Sequence, residues 1–429
     1  MNDLPLPLRL YRGGTTLFGP FARLLLRVRV RRGKEERTRL GERRGEPSLA
    51  RPEGRLAWLH GASVGETLSM LPLIERLTQR GLFVLVTSGT VTSARLMEER
   101  LPAGAFYQFV PLDVPSFVHR FLDHWKPDLA LVAESEIWPN LVVETDRRGI
   151  PMVLVNARMS ERSFRRWSKM PRMIGALLGR FDLCLAQTRA DADRLSRLGA
   201  PRVAVVGNLK FDVQAPPADP LRVSALAGLI GGRPLWMAAS THPGEEELIC
   251  AVHTALAGHF PGLLTIIVPR HPQRGPAIGA IATEDGLRCV LRSQALEPDG
   301  AVDVYVADTM GELGLFYRVV PVVFVGKSLA GEGGQNPIEP AKLGTAVLHG
   351  PHVSNFADVY AALDRAGGAL AVADVQGLAN ALVTLLRDGP RMRAMARAAA
   401  DTVDGLGGAV ERTMAAVEPF LMQMTVGGR

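Results

Sequence analysis

Short unbroken apolar runs alternate along most of this chain with longer stretches whose apolar positions recur every three to four residues. The first pattern is that of strands buried on both faces, and the second that of amphipathic helices. From about residue 55, the runs Leu56–His60, Phe83–Ser88, Tyr107–Pro111, Leu129–Glu134, Met152–Asn156, Leu183–Gln187 and Val203–Gly207 predict seven strands. Glu66–Gln79, Ser116–His124, Pro139–Arg148 and Ala190–Leu198 predict helices between them. The stretch Asp212–Pro220, dense in proline and acid, breaks the rhythm and reads as a linker. The alternation then restarts, with strand-like runs at Leu235–Ala239, Leu264–Val268, Cys289–Leu291, Val304–Ala307, Val322–Val325, Ala346–Leu348 and Ala369–Val372.

Two successive βαβα arrays predict an α/β chain with two parallel, doubly wound sheets, each in a Rossmann-like domain. Ligands in such sheets lie beyond the carboxyl ends of the strands, so the sequence places its site in a cleft between two facing domains. The expected boundaries are an N-terminal segment 1–37, a first domain 38–212, a linker 213–220, a second domain 221–407 and a last helix 408–429 that crosses back to brace the first domain. A chain of 429 residues is long enough for this division.

Charge changes the picture at one end only. Residues 1–50 hold twelve Arg and Lys against five Asp and Glu, a net +7, while the rest of the chain balances 38 basic with 38 acidic groups. A basic tail on a neutral body points to a localised anionic partner and excludes a nucleic-acid binder of the whole-surface kind. Within the tail, Phe18, Phe21 and Leu24–Leu26 alternate with Arg23, Arg27 and Arg29, and no run is long and clean enough for a transmembrane helix or a secretory signal. This pattern predicts an amphipathic helix from Thr15 to Val30 lying on an anionic membrane surface, against a solvated basic arm as the alternative. Three unpaired cysteines, Cys184, Cys250 and Cys289, fit a reducing compartment, the cytosol or its membrane face.

The candidate chemistry sits where strands end. His60-Gly-Ala-Ser-Val-Gly-Glu66 leaves the first strand, with Gly61 and Gly65 open to close approach and Ser63 placed to cap a helix. Glu66 is either the far half of a capping box, closing on the Ser63 amide, or a general base at a strand tip. Glu134-Ser-Glu-Ile-Trp-Pro-Asn140 ends the fourth strand on two carboxylates. On a continuing strand Glu134 and Glu136 share a face, and burying both beside Trp138 is expensive unless they bind something. The bland alternative has Glu136 capping a helix and pairing with an arginine. Lys210, in Gly207-Asn-Leu-Lys-Phe-Asp212, either meets an anion or is solvated.

In the second array, Ser240 and Thr241 offer hydroxyls beside a helix start, and Arg270 and His271 stand at a strand tip where they suit a phosphate. Gly331, Gly333 and Gly334 free the backbone ahead of Asn336, which is placed to cap a helix begun by Pro337. Glu339 either closes that cap or binds a ribose diol. No Walker A motif, GxGxxG after the first strand, DxD pair or His/Cys cluster occurs, so neither a metal nor a cofactor is expected.

These motifs resemble the Kdo (3-deoxy-D-manno-octulosonic acid) transferase family. The resemblance runs in order through HGASVGE at 60–66, ESEIWPN at 134–140, NARMS at 156–160, GNLKFD at 207–212, STHPGEE at 240–246, PRHP at 269–272, DTMGEL at 308–313, GGQNPIEP at 333–340 and GPHVSNF at 350–356. At position 335, where the family usually has histidine, this chain has Gln335. The resemblance implies a GT-B glycosyltransferase that moves Kdo from CMP-Kdo onto the lipid A precursor lipid IVA, inverting and metal-independent. It makes Glu66 the base and Glu134 the second carboxylate of the site. It puts Ser240, Arg270, Met310, Gly311, Gly334, Asn336 and Glu339 on the donor side, and Ser63, Gly65 and Lys210 on the acceptor side. The partners it implies are CMP-Kdo, the lipid A precursor and the inner membrane's anionic cytoplasmic surface.

Overall fold

Among the described residues of the computed structural model fourteen strands form, and every pairing between them is parallel. The structure describes residues 4–426; residues 1–3 and 427–429, the outer ends of the expected N-terminal segment and last helix, lie outside the described residues. The chain divides into two units, Met1–Val213 with Gly407–Arg429, and Gln214–Leu406.

The first unit contains β1 (Leu56–His60), β2 (Phe83–Ser88), β3 (Ala105–Phe109), β4 (Leu129–Ala133), β5 (Met152–Ala157), β6 (Leu183–Ala186) and β7 (Val203–Val205), ordered β3-β2-β1-β4-β5-β6-β7. Alternate residues of β1 enter opposite cores: Leu56 and Trp58 pack with Phe121 and Trp125, while Ala57 and Leu59 pack with Met70, Leu73 and Ile74. This two-sided burial is why the strands read as unbroken apolar runs. The stretch expected as one helix, 66–79, is two, Val64–Ser69 and Leu71–Gln79, because Pro72 in the first turn of the second brings no amide for a continuous helix. The Val91–Arg100, Glu161–Trp167 and Pro171–Leu178 helices were not singled out by the sequence pattern. Only Phe164 and Trp167 of Glu161–Trp167 pack on the core and neither is fully buried, so its apolar stripe is too short to read.

The helix Ala409–Val426 belongs to the first unit. Ala409, Val410, Met414, Val417 and Leu421 share the core that holds Ala57 and Leu59. Asp212 fixes its start, accepting from the Gly408 amide at 2.6 Å and the Val410 amide at 2.5 Å.

The N-terminal segment departs from the expected single helix in three ways. Helix begins at Leu6, runs to Phe18, and resumes from Ala22 to Arg31 after a 3₁₀ turn at Gly19–Phe21, where Pro20 interrupts it. It is not a solvated arm: Leu8 is buried in the first unit's core, Tyr11 donates to Asp113 at 2.9 Å and Arg12 pairs with buried Glu144 at 2.5 Å. Leu26 also faces inward and does not share the exposed face of Leu17, Phe18, Phe21, Leu24 and Leu25. Among the described residues, no helix is long and apolar enough to cross a membrane.

The second unit contains β8 (Leu235–Thr241), β9 (Leu264–Pro269), β10 (Cys289–Leu291), β11 (Val304–Val306), β12 (Val322–Val325), β13 (Ala346–His349) and β14 (Ala369–Ala371), ordered β10-β11-β9-β8-β12-β13-β14. The proline-rich 213–220 stretch ends earlier than expected, because Pro220 already opens the Pro220–Ile230 helix, capped by Asp219. Its Pro216 carbonyl accepts from Arg318 at 2.7 Å. In both sheets the strand order reverses beside the first strand, between β1 and β4 and between β8 and β12, and ligand-binding loops gather at such reversals.

Candidate active site

At the first reversal, the segments that follow β1 and β4 carry Glu66, Glu134 and Glu136. Ser63 caps the Val64–Ser69 helix, its hydroxyl oxygen accepting from the Glu66 amide at 3.3 Å. The Glu66 carboxylate accepts from the Ala62 amide at 2.8 Å and the Ser63 hydroxyl at 2.7 Å. The reciprocal cap therefore closes one residue before the expected Ser63 amide, and the carboxylate is held by both its oxygens. Gly65, in the first turn, has open space where a Cβ would stand. Burial pushes the Glu66 carboxyl above its usual range, against the pull of Ser63 and Ala62; Glu134 raises it further and Lys210 opposes that rise.

Glu134 does not continue its strand. It takes a left-handed φ of 51°, as do Asn156 in the first unit and Ser240 and Lys327 in the second. Such backbone costs of order 1–3 kcal/mol per residue, and its recurrence at strand tips of both reversals marks these loops as built for something other than stability. Lys210 is neither solvated nor open: its Nζ meets Glu134 Oε1 at 3.1 Å. Buried Asn156 holds the turn that carries it, accepting from the Leu209 amide at 3.0 Å. Glu136 neither caps a helix nor pairs with arginine. Its Oε2 accepts from Trp138 Nε1 at 2.7 Å and lies 3.9 Å from His60 Nε2. Burial raises the Glu136 carboxyl, and the charges of Glu66 and Glu134 add to the rise. Glu66 and Glu136 are thus both held above the usual carboxylate range, the direction that strengthens a carboxylate as a proton acceptor.

At the second reversal the charge is opposite. His242, just past the tip of β8, has its pKa lowered by burial and by neighbouring Lys327, His271 and Arg270. The His242 and His271 rings meet edge to face, 5.9 Å apart. Arg270 is exposed, Lys327 is half-buried in left-handed backbone, and together they form a cationic patch beside Ser240. Thr241 is not available to a ligand, since it is buried and donates to Glu246 at 2.9 Å. Buried Glu245 ties this patch together, accepting from the amides of His242, Lys327, Ser328 and Leu329.

The glycine-rich loop packs tightly. Gly333 has φ +112°, and a Cβ there would stand 2.4 Å from Asn355 Nδ2; Gly334 also has positive φ and donates to the Lys327 carbonyl at 2.9 Å. Asn336 accepts from the Ile338 amide at 3.0 Å and reaches Glu339 at 3.4 Å. The helix behind it, Ile338–Lys342, has only five residues, so cations and not a helix dipole supply this loop's positive potential. Gln335 contacts His242 through its side-chain amide at 2.9 Å. Met310 and Gly311 sit exposed after β11. Neither Lys327 nor His242 is among the site residues expected from the sequence. Lys327 opens the glycine-rich stretch and His242 follows the Ser240–Thr241 pair, so their positions at strand tips were the available signal.

Residues 38–213 match the family described as 3-deoxy-D-manno-octulosonic-acid transferase (kdotransferase). The chain is 38% identical to a probable mitochondrial 3-deoxy-D-manno-octulosonic acid transferase of Arabidopsis thaliana, with 83% of each chain covered. It is also 38% identical to the 3-deoxy-D-manno-octulosonic acid transferase of Bordetella pertussis, covering 89% of this chain and 90% of the relative. Among solved structures it resembles UDP-GlcNAc 2-epimerase from Neisseria meningitidis, with a TM-score of 0.58, 85% of this chain and 100% of that one covered, and 14% identity, a likeness of fold alone. The twin Rossmann-like, GT-B architecture is thus common to enzymes of different chemistry, whereas identity running through most of the chain is not shared by fold alone. On that identity the chain belongs to the 3-deoxy-D-manno-octulosonic acid (Kdo) transferase family, the glycosyltransferases that add Kdo in lipopolysaccharide biosynthesis.

Proposed function

We propose that this chain transfers Kdo from CMP-Kdo to a sugar hydroxyl of the lipid A precursor lipid IVA, inverting the anomeric centre without a metal ion. The observation that carries the reading is Glu66: a carboxylate gripped at both oxygens, raised by burial, beside the Glu134–Lys210 pair. Glu66 takes the proton of the acceptor hydroxyl as that oxygen attacks the anomeric carbon, and the C–O bond to the CMP phosphate breaks on the opposite face. Ser63, Gly65 and Lys210 border the acceptor. Arg270 and Lys327 stabilise the charge on the departing phosphate, the work a metal does elsewhere. Ser240, Met310, Gly311, Gly334 and Asn336 line the donor, and Glu339 accepts from the ribose hydroxyls. The N-terminal helices hold the enzyme peripherally on the cytoplasmic face of the inner membrane.

The test is incubation of the full chain with CMP-Kdo and lipid IVA in excess chelator, followed by mass spectrometry of the lipid and NMR of the new linkage. A lipid heavier by Kdo, free CMP and an inverted anomer are expected. Activity that returns only with added Mg²⁺, or a retained anomer, overturns the corresponding part of the reading.

A further inference from the structure

Trp138 is 45% exposed, yet its indole N–H is not left to water. It donates to Glu136, whose side chain is only 19% exposed and whose charge is disfavoured by burial and by two neighbouring carboxylates. A single exposed indole needs no explanation. An exposed indole whose edge is fixed by a costly, half-dry acid does.

The fixing continues inward. His60, 1% exposed, has an Nε2 with no hydrogen-bond partner among the described residues, 3.9 Å from Glu136 Oε2. Its Nδ1 lies 3.0 Å from Thr87 Oγ1, and Thr87 Oγ1 accepts from Trp58 Nε1 at 2.9 Å. An indole only donates. The same Nδ1 lies 3.2 Å from the Thr87 carbonyl, which can only accept, so Nδ1 carries the ring's proton, and the Thr87 hydroxyl donates to the Leu59 carbonyl at 3.4 Å. Nε2 then carries no proton, and its approach to Glu136 is a packing contact and not a hydrogen bond. Burial lowers the His60 pKa to about 4, so the ring is neutral at pH 7 and the tautomer matters. One line of contacts thus runs from a buried indole, Trp58, through Thr87 and the His60 ring to the acid that holds an exposed indole.

We infer that Trp138 is a stacking platform for a sugar ring of the acceptor, and that Trp58, Thr87 and His60 are positioning residues that hold it through Glu136. A flat apolar ring fixed along one edge complements the C–H face of a pyranose, and fixing it beforehand removes the entropy cost of ordering it on binding. The platform follows β4, while Glu66 follows the adjacent β1, close enough for the Glu66 charge to act on Glu136. A sugar stacked there lies beside the base. The identity of that sugar, an amino-sugar ring of the acceptor, rests on the proposed function.

The experiment uses the full chain with two readouts. The first is tryptophan fluorescence on titration with the de-acylated glucosamine disaccharide bisphosphate, with Trp138→Phe as the difference reference. The second is KM for lipid IVA and for CMP-Kdo. Sugar should change the Trp138 component of the emission. Trp138→Ala should raise the lipid KM by at least about tenfold with the CMP-Kdo KM unchanged, and Trp138→Phe should fall between. His60→Leu and Glu136→Met should raise the lipid KM in the native background but add nothing in the Trp138→Ala background. Equal effects in both backgrounds overturn the positioning line. A Trp138 emission that responds to the acylated lipid and not to the sugar makes the ring an acyl-chain contact and overturns the platform. If His60→Leu does not fold, Glu136→Met carries the same comparison. A native enzyme that shows the Trp138 signal but transfers no Kdo overturns the proposed function and leaves the platform standing.

Discussion

Glu66 holds two positions at once, the third residue of a helix and the centre of an acidic cluster. Glu66→Gln keeps the shape of the cap, because the amide can accept from Ala62 and donate to Ser63. It removes only the basic oxygen. Turnover should fall by roughly 10²–10⁴, the range for losing a general base, while CMP binding survives. Stability supplies an independent check. A carboxyl raised on folding contributes stability that is complete below its unfolded pKa and lost as pH rises through its folded pKa. Glu66→Gln does not titrate, so its stability relative to the native chain should rise with pH from the ordinary glutamate range up to the raised value. Near-native turnover would reduce Glu66 to a cap. Lys210→Met tests the neighbouring pair. Without that ammonium, the Glu66 carboxyl loses its opposing charge and rises further, so the acid limb of kcat/KM should move to higher pH. An acid limb that stays in place means Lys210 acts on Glu134 alone. At this scale the sequence showed which residue types stand at strand tips, but not their partners. Lys210 and Glu134 are 76 positions apart, and nothing local to either announces the ion pair.

Elements were far more legible than residue partners, for a reason visible in β1 and β5. Every residue of each is buried, so their apolar runs admit no other reading within a parallel sheet. Legibility failed where burial fails. The Glu161–Trp167 helix buries no residue, and the first helix, Leu6–Phe18, buries only Leu8. It failed too where one proline divides a single stripe, as Pro72 does between Val64–Ser69 and Leu71–Gln79. The start of the last helix is a case of tertiary capping with no local signature. Asp212 accepts from two amides at its beginning, 196 and 198 positions away in sequence. Asp212→Ala should cost about 1–2 kcal/mol, the upper part of the capping scale, because two buried-side donors lose their partner. A thermal melt checks it. An unchanged melting temperature would mean that water takes over the carboxylate's role.

For the whole molecule, the sharpest contrast is between a neutral body and an N-terminal face that is at once apolar and basic. Leu17, Phe18, Phe21 and Leu24 are exposed, and Arg23 and Arg27 stand exposed among them. Removing residues 1–33 outright is a poor test of membrane contact, because Leu8, Ala22 and Leu26 are buried against the first unit and Arg12 pairs with Glu144. Deleting them opens a core. Substituting the outward side chains leaves that core intact. Each arginine near an anionic surface contributes about 1 kcal/mol, screened by salt, whereas apolar burial is not screened. Replacing Leu17, Phe18, Phe21 and Leu24 with serine should therefore leave binding to anionic vesicles at low salt but abolish it at high salt. Arg23→Gln with Arg27→Gln should weaken binding at low salt and leave the salt-resistant part. Both variants should keep their circular dichroism and their turnover on detergent-dispersed acceptor, because the altered groups touch neither core nor site. Vesicle sedimentation over a salt series reads out the difference. A serine variant that still pellets at high salt places the apolar membrane contact elsewhere on the molecule. One that is soluble, folded and inactive on detergent-dispersed acceptor makes these helices part of the lipid-substrate site and not merely its anchor.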